Sequence, residues 1–217
     1  MTTDRTRRRF LALGGTAALT GLAGCTGATP FVGKRVENTE TYDADAVDAG
    51  AVDGTNGDVT VRPADGDRLR IETIKQSGSV FADLDDASVD VTTDGGDVRV
   101  ETRQTGDGSF LGGVPSVDVT VELPTSVDLG ELRTENGGVD VRGVASDATL
   151  VSENGSVTAR NVDGFVDVET ENGSATVRGT SGVDGVRTEN GSVAVDVAAI
   201  RGETVVRSEN GSVTAAV

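Results

Sequence analysis

The sequence predicts an all-β protein built as a β-solenoid, a parallel β-helix-like stack of coils about 18 residues long. The alternative is an antiparallel β-sandwich. A Ser/Thr-Glu-Asn-Gly phrase occurs five times toward the C-terminus, with asparagines 18, 18, 18 and 20 residues apart. Apolar residues keep the same offsets from the asparagine in each copy, and within a copy apolar and polar residues alternate. A fixed period is typical of stacked repeats, and the alternation is typical of half-buried strands.

Five asparagines mark the corners of the predicted coils: Asn136, Asn154, Asn172, Asn190 and Asn210. The glycine after each one ends a strand, because glycine accepts positive φ and asparagine tolerates it. The matching columns favour stacked coils over hairpins, since stacking places equivalent residues about 4.8 Å apart and hairpins require no such repetition. By the period-two alternation, the Ser or Thr two residues before each asparagine points inward, and so does the asparagine itself. The asparagine amides then form a structural ladder of hydrogen bonds along the stack.

Four of these asparagines also begin Asn-Gly-Ser triplets, which have the form of N-glycosylation sites. An inward asparagine cannot carry a glycan, so the structural ladder is the preferred interpretation.

The N-terminus has the features of an exported lipoprotein. Residues 1–24 form a predicted twin-arginine signal peptide, with Arg7 and Arg8 before a short apolar run that ends in a lipobox, Leu-Ala-Gly-Cys. Cleavage would leave Cys25 as the lipidated first residue. Cys25 is the only cysteine, so the chain can form no internal disulfide.

The rest of the chain divides into a tether and one domain. Residues 25–45 are polar and without a period, which indicates a flexible tether after the lipidated cysteine. Residues 46–217 form a single β-repeat domain, most regular from residue 132. Two segments rich in Gly and Asp, 76–86 and 104–115, are predicted loops.

The composition is strongly acidic, with 36 acidic and 19 basic residues, a net charge of −17 and only 3% aromatic residues. This balance is typical of a halophilic protein. The glutamate before each asparagine would form an outward column in which neighbours repel by roughly 1 kcal/mol in water. Multimolar salt screens that repulsion. An acidic surface also argues against a nucleic-acid partner.

The residue types exclude several chemistries. The chain has no histidine and a single cysteine, so Ser-His-Asp triads and most zinc sites are excluded, and neither a cofactor nor a metal is expected. Arg142, Arg160 and Arg178 form a basic column opposite the acidic one. It represents either cross-strand pairing with acids or, alternatively, a stripe that binds a polyanion.

The segments Val119–Pro124 and Leu132–Val141 resemble the putative-adhesin β-strand-repeat family, a domain of unknown function in bacteria and archaea. The export signal resembles that of haloarchaeal twin-arginine lipoproteins. The resemblance implies a surface or adhesive role, and it assigns no site residues.

We therefore expect a lipid-anchored cell-surface protein on the outer face of the cytoplasmic membrane, with a non-catalytic adhesin-like or scaffold role. The alternative is a polysaccharide-active enzyme on a β-solenoid. The expected partners are the membrane, through the lipid anchor, and a polymer or protein of the cell envelope. Strand pairing at the C-terminal edge is also expected, because the last coil has no cap before Val217.

Overall fold

The computed structural model describes residues 33–106 and 113–217. Arg7, Arg8, Cys25 and the predicted signal peptide lie outside the described residues. The described chain consists of β-strands joined by turns and loops, with two short 3₁₀ turns at Ala44–Ala46 and Leu84–Asp86, which confirms the all-β prediction. No helix in these ranges is long and apolar enough to cross a membrane.

Seventeen strands are formed within the described ranges. They are β1 (Lys34–Asp43), β2 (Ala49–Asn56), β3 (Val59–Pro63), β4 (Arg68–Ser77), β5 (Ala87–Asp94), β6 (Asp97–Gln104), β7 (Ser116–Leu123), β8 (Asp128–Asn136), β9 (Val139–Arg142), β10 (Ala148–Ser152), β11 (Val157–Arg160), β12 (Phe165–Thr170), β13 (Ala175–Thr180), β14 (Gly182–Asn190), β15 (Val193–Val197), β16 (Ile200–Asn210) and β17 (Val213–Ala216).

The strands form two open sheets of mixed direction. Sheet A has the order β1-β4-β7-β3-β9-β11-β13-β15-β17, and sheet B has the order β16-β14-β12-β10-β8-β2-β6-β5. From β8 onward the chain alternates between the sheets, one strand in each. Neighbouring strands of the repeat pair in parallel, with Leu150 beside Val168 in sheet B and Val157 beside Ala175 in sheet A.

Two open sheets whose inner faces share one apolar core fit the sandwich alternative better than the predicted solenoid. The antiparallel pairing expected of that sandwich is limited, in the described part, to β1–β4–β7 and β5–β6. The remaining pairs are parallel, because the chain crosses to the other sheet before it returns. A parallel pair needs such a crossover, whereas an antiparallel pair can be closed by a short hairpin.

Residues 34–43, placed in a tether by the sequence analysis, form strand β1. This strand pairs antiparallel with β4 over ten positions, from Lys34 beside Ser77 to Asp43 beside Arg68. Most of its side chains are exposed, so the strand shows no apolar alternation. It is held mainly by the main-chain ladder, which a hydrophobic pattern does not reveal.

The core is a thin layer of small apolar side chains from both sheets. Leu132, Leu150 and Val168 of sheet B and Val157 and Val177 of sheet A are fully buried. Stacked β-branched side chains suit such a pleated surface.

Buried hydroxyls complete the inner face of the corners. Thr134, Ser152, Thr170 and Thr188 are buried, as their inward position in the repeat predicts. Each donates to the carbonyl of the corner glycine beside it, which is Gly57 for Thr134 and the glycine of the preceding repeat for the other three, as Thr170 Oγ1 does to Gly155 O at 2.8 Å. The buried hydroxyls are therefore satisfied without water.

The corner glycines are required by close approach. A Cβ on Gly173 would lie 2.0 Å from Gly155 O, and a Cβ on Gly155 would lie 1.9 Å from Gly137 O. Among the corner glycines of the five repeats, only Gly137 has a positive φ, at 159°. The prediction that glycine serves the turn through positive φ is therefore wrong for the other four corners, where the carbonyl of the preceding coil leaves no room for a side chain.

Candidate binding surfaces

The asparagine amides form a ladder along one corner of the repeat. Asn154 Nδ2 donates to Asn136 Oδ1 at 3.1 Å, and the next three steps are each 3.0 Å. All five side chains are exposed, so the expected inward direction is wrong. The period-two alternation fails because the chain already turns at this residue: in the third copy Thr170 is buried, and Glu171 and Asn172 after it are both exposed.

Exposure changes the argument about glycosylation. Burial does not protect these asparagines. The ladder uses one of the two Nδ2 hydrogens, as in the donation from Asn172 Nδ2 to Asn154 Oδ1, so a glycan attached in place of the other hydrogen would have to fit beside the ladder.

The outward face of sheet A carries two parallel strips of side chains. Each strand from β9 to β13 on this face presents two outward residues. We call Arg142, Arg160 and Arg178 the arginine strip and Thr158 and Thr176 the threonine strip. In the strand register Arg160 has Arg142 on one side and Arg178 on the other.

The three arginines differ in their partners. Arg142 donates from Nε and Nη2 to the two carboxylate oxygens of Asp140, both at 2.6 Å, and this pairing raises the pKa of Arg142. Arg160 and Arg178 form no ion pair with any described residue within 4.0 Å. Cross-strand pairing with acids, the first interpretation of this column, is therefore absent at Arg160, whose register neighbours are both arginines. Like charges directly opposite each other are destabilising.

A shallow polar groove of about 540 Å³ adjoins the arginine strip. It lies over β3, β9 and β11, and Thr60, Arg62, Asp140, Arg142 and Thr158 are among its lining residues. Arg62 is tied by a hydrogen bond from Nη2 to Glu122 Oε1 at 2.7 Å. The groove and the strip together give sheet A a continuous polar surface with unpaired guanidinium groups at one side.

The outward face of sheet B has a different charge pattern. Its register column reads Arg133, Val151, Glu169, Arg187 and Arg207, so like charges are adjacent only at the last step, where Arg187 lies beside Arg207. Arg133 Nη2 also donates to Glu153 Oε1 at 2.6 Å. A smaller groove of about 300 Å³ lies on this face, and half of its lining residues are glutamates. Within residues 33–106 and 113–217 no group of three or more Asp, Glu, Cys or His side chains is arranged to hold a metal ion.

One half-buried carboxylate, Asp118, lies on β7 beside β3. Asp118 accepts from the main-chain N–H of Asp58 at 3.1 Å and from Gln76 Nε2 at 2.6 Å. Burial raises the pKa of Asp118, and the nearby charge of Asp58 adds to that rise, while the two hydrogen bonds oppose it.

Sequence reasoning found the arginine strip but missed the groove beside it and the environment of Asp118. The groove includes Thr60 and Arg62 of β3, which precede the regular repeats by more than seventy residues. No repeat phrase links β3 to β9, and only the Asn56-Gly57 corner hints at their common register.

Comparisons with known proteins show similarity at the level of the fold. No family model matches the chain, and no curated protein matches it. Among solved structures, a putative cell adhesion protein from Clostridium sporogenes ATCC 15579 is similar with a TM-score of 0.51 and 12% identity, covering 84% of this chain and 99% of that one. A putative adhesin from Bacteroides fragilis NCTC 9343 has a TM-score of 0.36 and 11% identity, covering 83% and 97%.

Proposed function

We propose that this protein is a non-catalytic, adhesin-like module of the cell surface that binds an anionic polymer of the cell envelope along the arginine strip. One observation carries the proposal: Arg160 is flanked in register by Arg142 and Arg178, and neither Arg160 nor Arg178 has an acidic partner within 4.0 Å in the described chain. The fold shared with a putative cell adhesion protein supports a surface role.

The chemistry of the strip selects the ligand class. A guanidinium group is planar and binds carboxylate or sulfate through two parallel hydrogen bonds. Stacked strands place successive arginines about 4.8 Å apart, so neighbouring acidic groups of one polymer can each meet a guanidinium. The threonine strip supplies hydroxyl groups alongside.

Within the strip, Arg160 is the better centre, because Arg178 has Asp196 beside it in the strand register. Arg142 is already bound by Asp140 through two hydrogen bonds, and a ligand anion there would compete with that carboxylate. At Arg160 an anion replaces repulsion with attraction, so binding relieves a cost that the free protein carries.

The placement of the module follows from its N-terminus. Export through the twin-arginine route, signalled by Arg7 and Arg8, and lipid attachment at Cys25 would hold the domain on the outer face of the cytoplasmic membrane.

The alternation of strands between the sheets also supports a more specific architecture, a two-sheet solenoid with one coil per repeat. The acidic surface supports function at multimolar salt.

The test is a pull-down against acidic and neutral polysaccharides and against cell-envelope pellets, at the lowest salt concentration at which circular dichroism shows the intact fold, since salt weakens exposed ion pairs. The variant is Arg160→Gln with Arg178→Gln, and the matched control is Arg187→Gln, an arginine on the outward face of sheet B that faces Asp167 at 3.5 Å. We expect binding of acidic polymers by the wild type and the control, and about a tenfold or greater loss in the double variant. Equal binding by all three proteins refutes the site.

Two further measurements separate the parts of the proposal. Release of reducing ends from the bound polymer would favour the polysaccharide-active alternative over a binding role. The membrane fraction of Cys25→Ser tests the anchor, because a protein that stays membrane-bound without Cys25 is not held by lipid on that residue.

A further inference from the structure

The two sheets end together at β16 and β17, and no described strand lies beyond them. The last coil exposes positions that earlier coils bury: Val213 is 45% exposed, whereas Val193, its register partner one coil earlier, is 2% exposed. Over Val205–Asn210, the main-chain groups on the outer edge of β16 pair with no described strand. An edge of this kind pairs readily with another strand.

The outward face of β16 carries a charge pattern that is complementary to itself. Arg207 and Glu209 lie on either side of Ser208, and their side chains are 66% and 52% exposed. The segment Val205–Asn210 follows β14 in unbroken register, so this part of the edge is regular.

We propose that β16 pairs antiparallel with β16 of a second copy of this chain, about a two-fold axis at Ser208. In this register Arg207 of each copy lies opposite Glu209 of the other. Both side chains project from the same face of the joined sheet, as directly opposed residues do in an antiparallel pair. The pairing extends sheet B across the axis and forms two reciprocal ion pairs.

The other available edge of sheet B does not offer the same complementarity. Strand β5 carries Asp90 and Asp94 and no basic residue, so two copies of β5 repel each other. If β16 of a second copy were added in parallel and in register, its Arg207 would lie beside Arg207 of the first copy. This would repeat the like-charge pair that Arg187 and Arg207 already form inside the sheet. The charges therefore favour a closed two-fold dimer over an open-ended stack.

The test reverses the charge of one residue at a time in the proposed ion pairs. Sedimentation velocity then measures the association state of the full chain. Arg207→Glu places two glutamates opposite two glutamates, and Glu209→Arg places arginines opposite arginines. We expect each single variant to weaken dimerisation about tenfold or more relative to the wild type. The experiment uses the lowest salt at which circular dichroism shows the intact fold, since salt weakens exposed pairs.

The decisive sample is an equimolar mixture of the two single variants. In the mixed dimer the two glutamates of the Arg207→Glu chain lie opposite the two arginines of the Glu209→Arg chain. Both cross-strand pairs again join opposite charges, so dimerisation should return to near the wild-type constant. The Arg207–Glu209 pair within one strand, at 3.2 Å, stays broken in both variants and cannot produce this rescue. Arg133→Glu, in the interior strand β8, is the matched control and should dimerise as the wild type does.

Three results overturn the proposal. A wild-type chain that stays monomeric at every concentration removes the dimer. If the equimolar mixture associates no more strongly than the single variants, the two-fold register at Ser208 is ruled out. Species that grow beyond the dimer with concentration indicate head-to-tail stacking instead.

Discussion

The close approach between neighbouring corners gives a sharp prediction at Gly173. A methyl group at this position would lie 2.0 Å from Gly155 O and 2.5 Å from its carbonyl carbon. Side-chain Cβ atoms essentially never approach a backbone atom closer than 3.0 Å, so Gly173→Ala must move the corner by about 1 Å. The atoms in the way belong to the backbone of the preceding coil and cannot rotate aside.

Three hydrogen bonds cross the gap that would open. Thr170 Oγ1 donates to Gly155 O at 2.8 Å, Asn172 Nδ2 to Asn154 Oδ1 at 3.0 Å, and the main-chain N–H of Asn172 to Glu153 O at 2.8 Å. A shift of 1 Å lengthens them to roughly 3.8–4.0 Å, beyond hydrogen-bonding range. At about 1 kcal/mol each, their loss lowers the free energy of unfolding by about 3 kcal/mol.

The assay is urea unfolding followed by circular dichroism at a fixed multimolar salt concentration. Gly66→Ala is the control, because a Cβ there has nothing within 4 Å and should change the free energy of unfolding by less than about 0.5 kcal/mol. If Gly173→Ala costs less than about 1 kcal/mol, the coils are not stacked as closely as the structure places them. The argument from close approach then fails.

Three other predictions concern the ladder, a carboxylate and salt. Asn172→Ala removes two hydrogen bonds of the ladder, but the neighbouring amides stay exposed to water, so we expect the free energy of unfolding to fall by about 1 kcal/mol in the same assay. An unchanged free energy of unfolding would show that the ladder does not stabilise the fold. At pH values above the raised pKa of Asp118, the buried charge destabilises the wild type, so Asp118→Asn should have the higher free energy of unfolding. The difference should shrink as the pH falls below that pKa, and a difference that stays constant with pH contradicts the argument from burial. The melting temperature should rise with KCl concentration because the corner glutamates repel, and an unchanged value on dialysis to low salt contradicts this.

Local information predicted the parts of the fold that repeat. The 18-residue spacing placed equivalent strands side by side, as Leu150 beside Val168 shows. The alternation placed Thr170 and its equivalents inside. These features depend on period alone, which a sequence displays directly.

The features that escaped prediction depend on contacts between coils. The neighbouring sequence does not distinguish a glycine that is required for positive φ from one that is required because a side chain would not fit. At Gly173 the steric constraint comes from Gly155, eighteen residues earlier. The outward turn at Asn172 breaks the alternation at a point that the alternation cannot locate. Strand β1 escaped because a mostly exposed edge strand has no buried face to leave a pattern.

Repetition by itself does not explain the arginine strip. A stacked repeat that copies one charged residue builds a column of like charges, and the cost recurs at each step. On sheet B the sequence changes at the equivalent positions, so Val151 and Glu169 interrupt the arginines at the two steps after Arg133. On sheet A the arginine recurs in three successive repeats, although the equivalent column of sheet B accommodates a valine and a glutamate. The strip is therefore a feature that the stack tolerates at a cost, and the anion that we propose to bind at Arg160 would remove that cost.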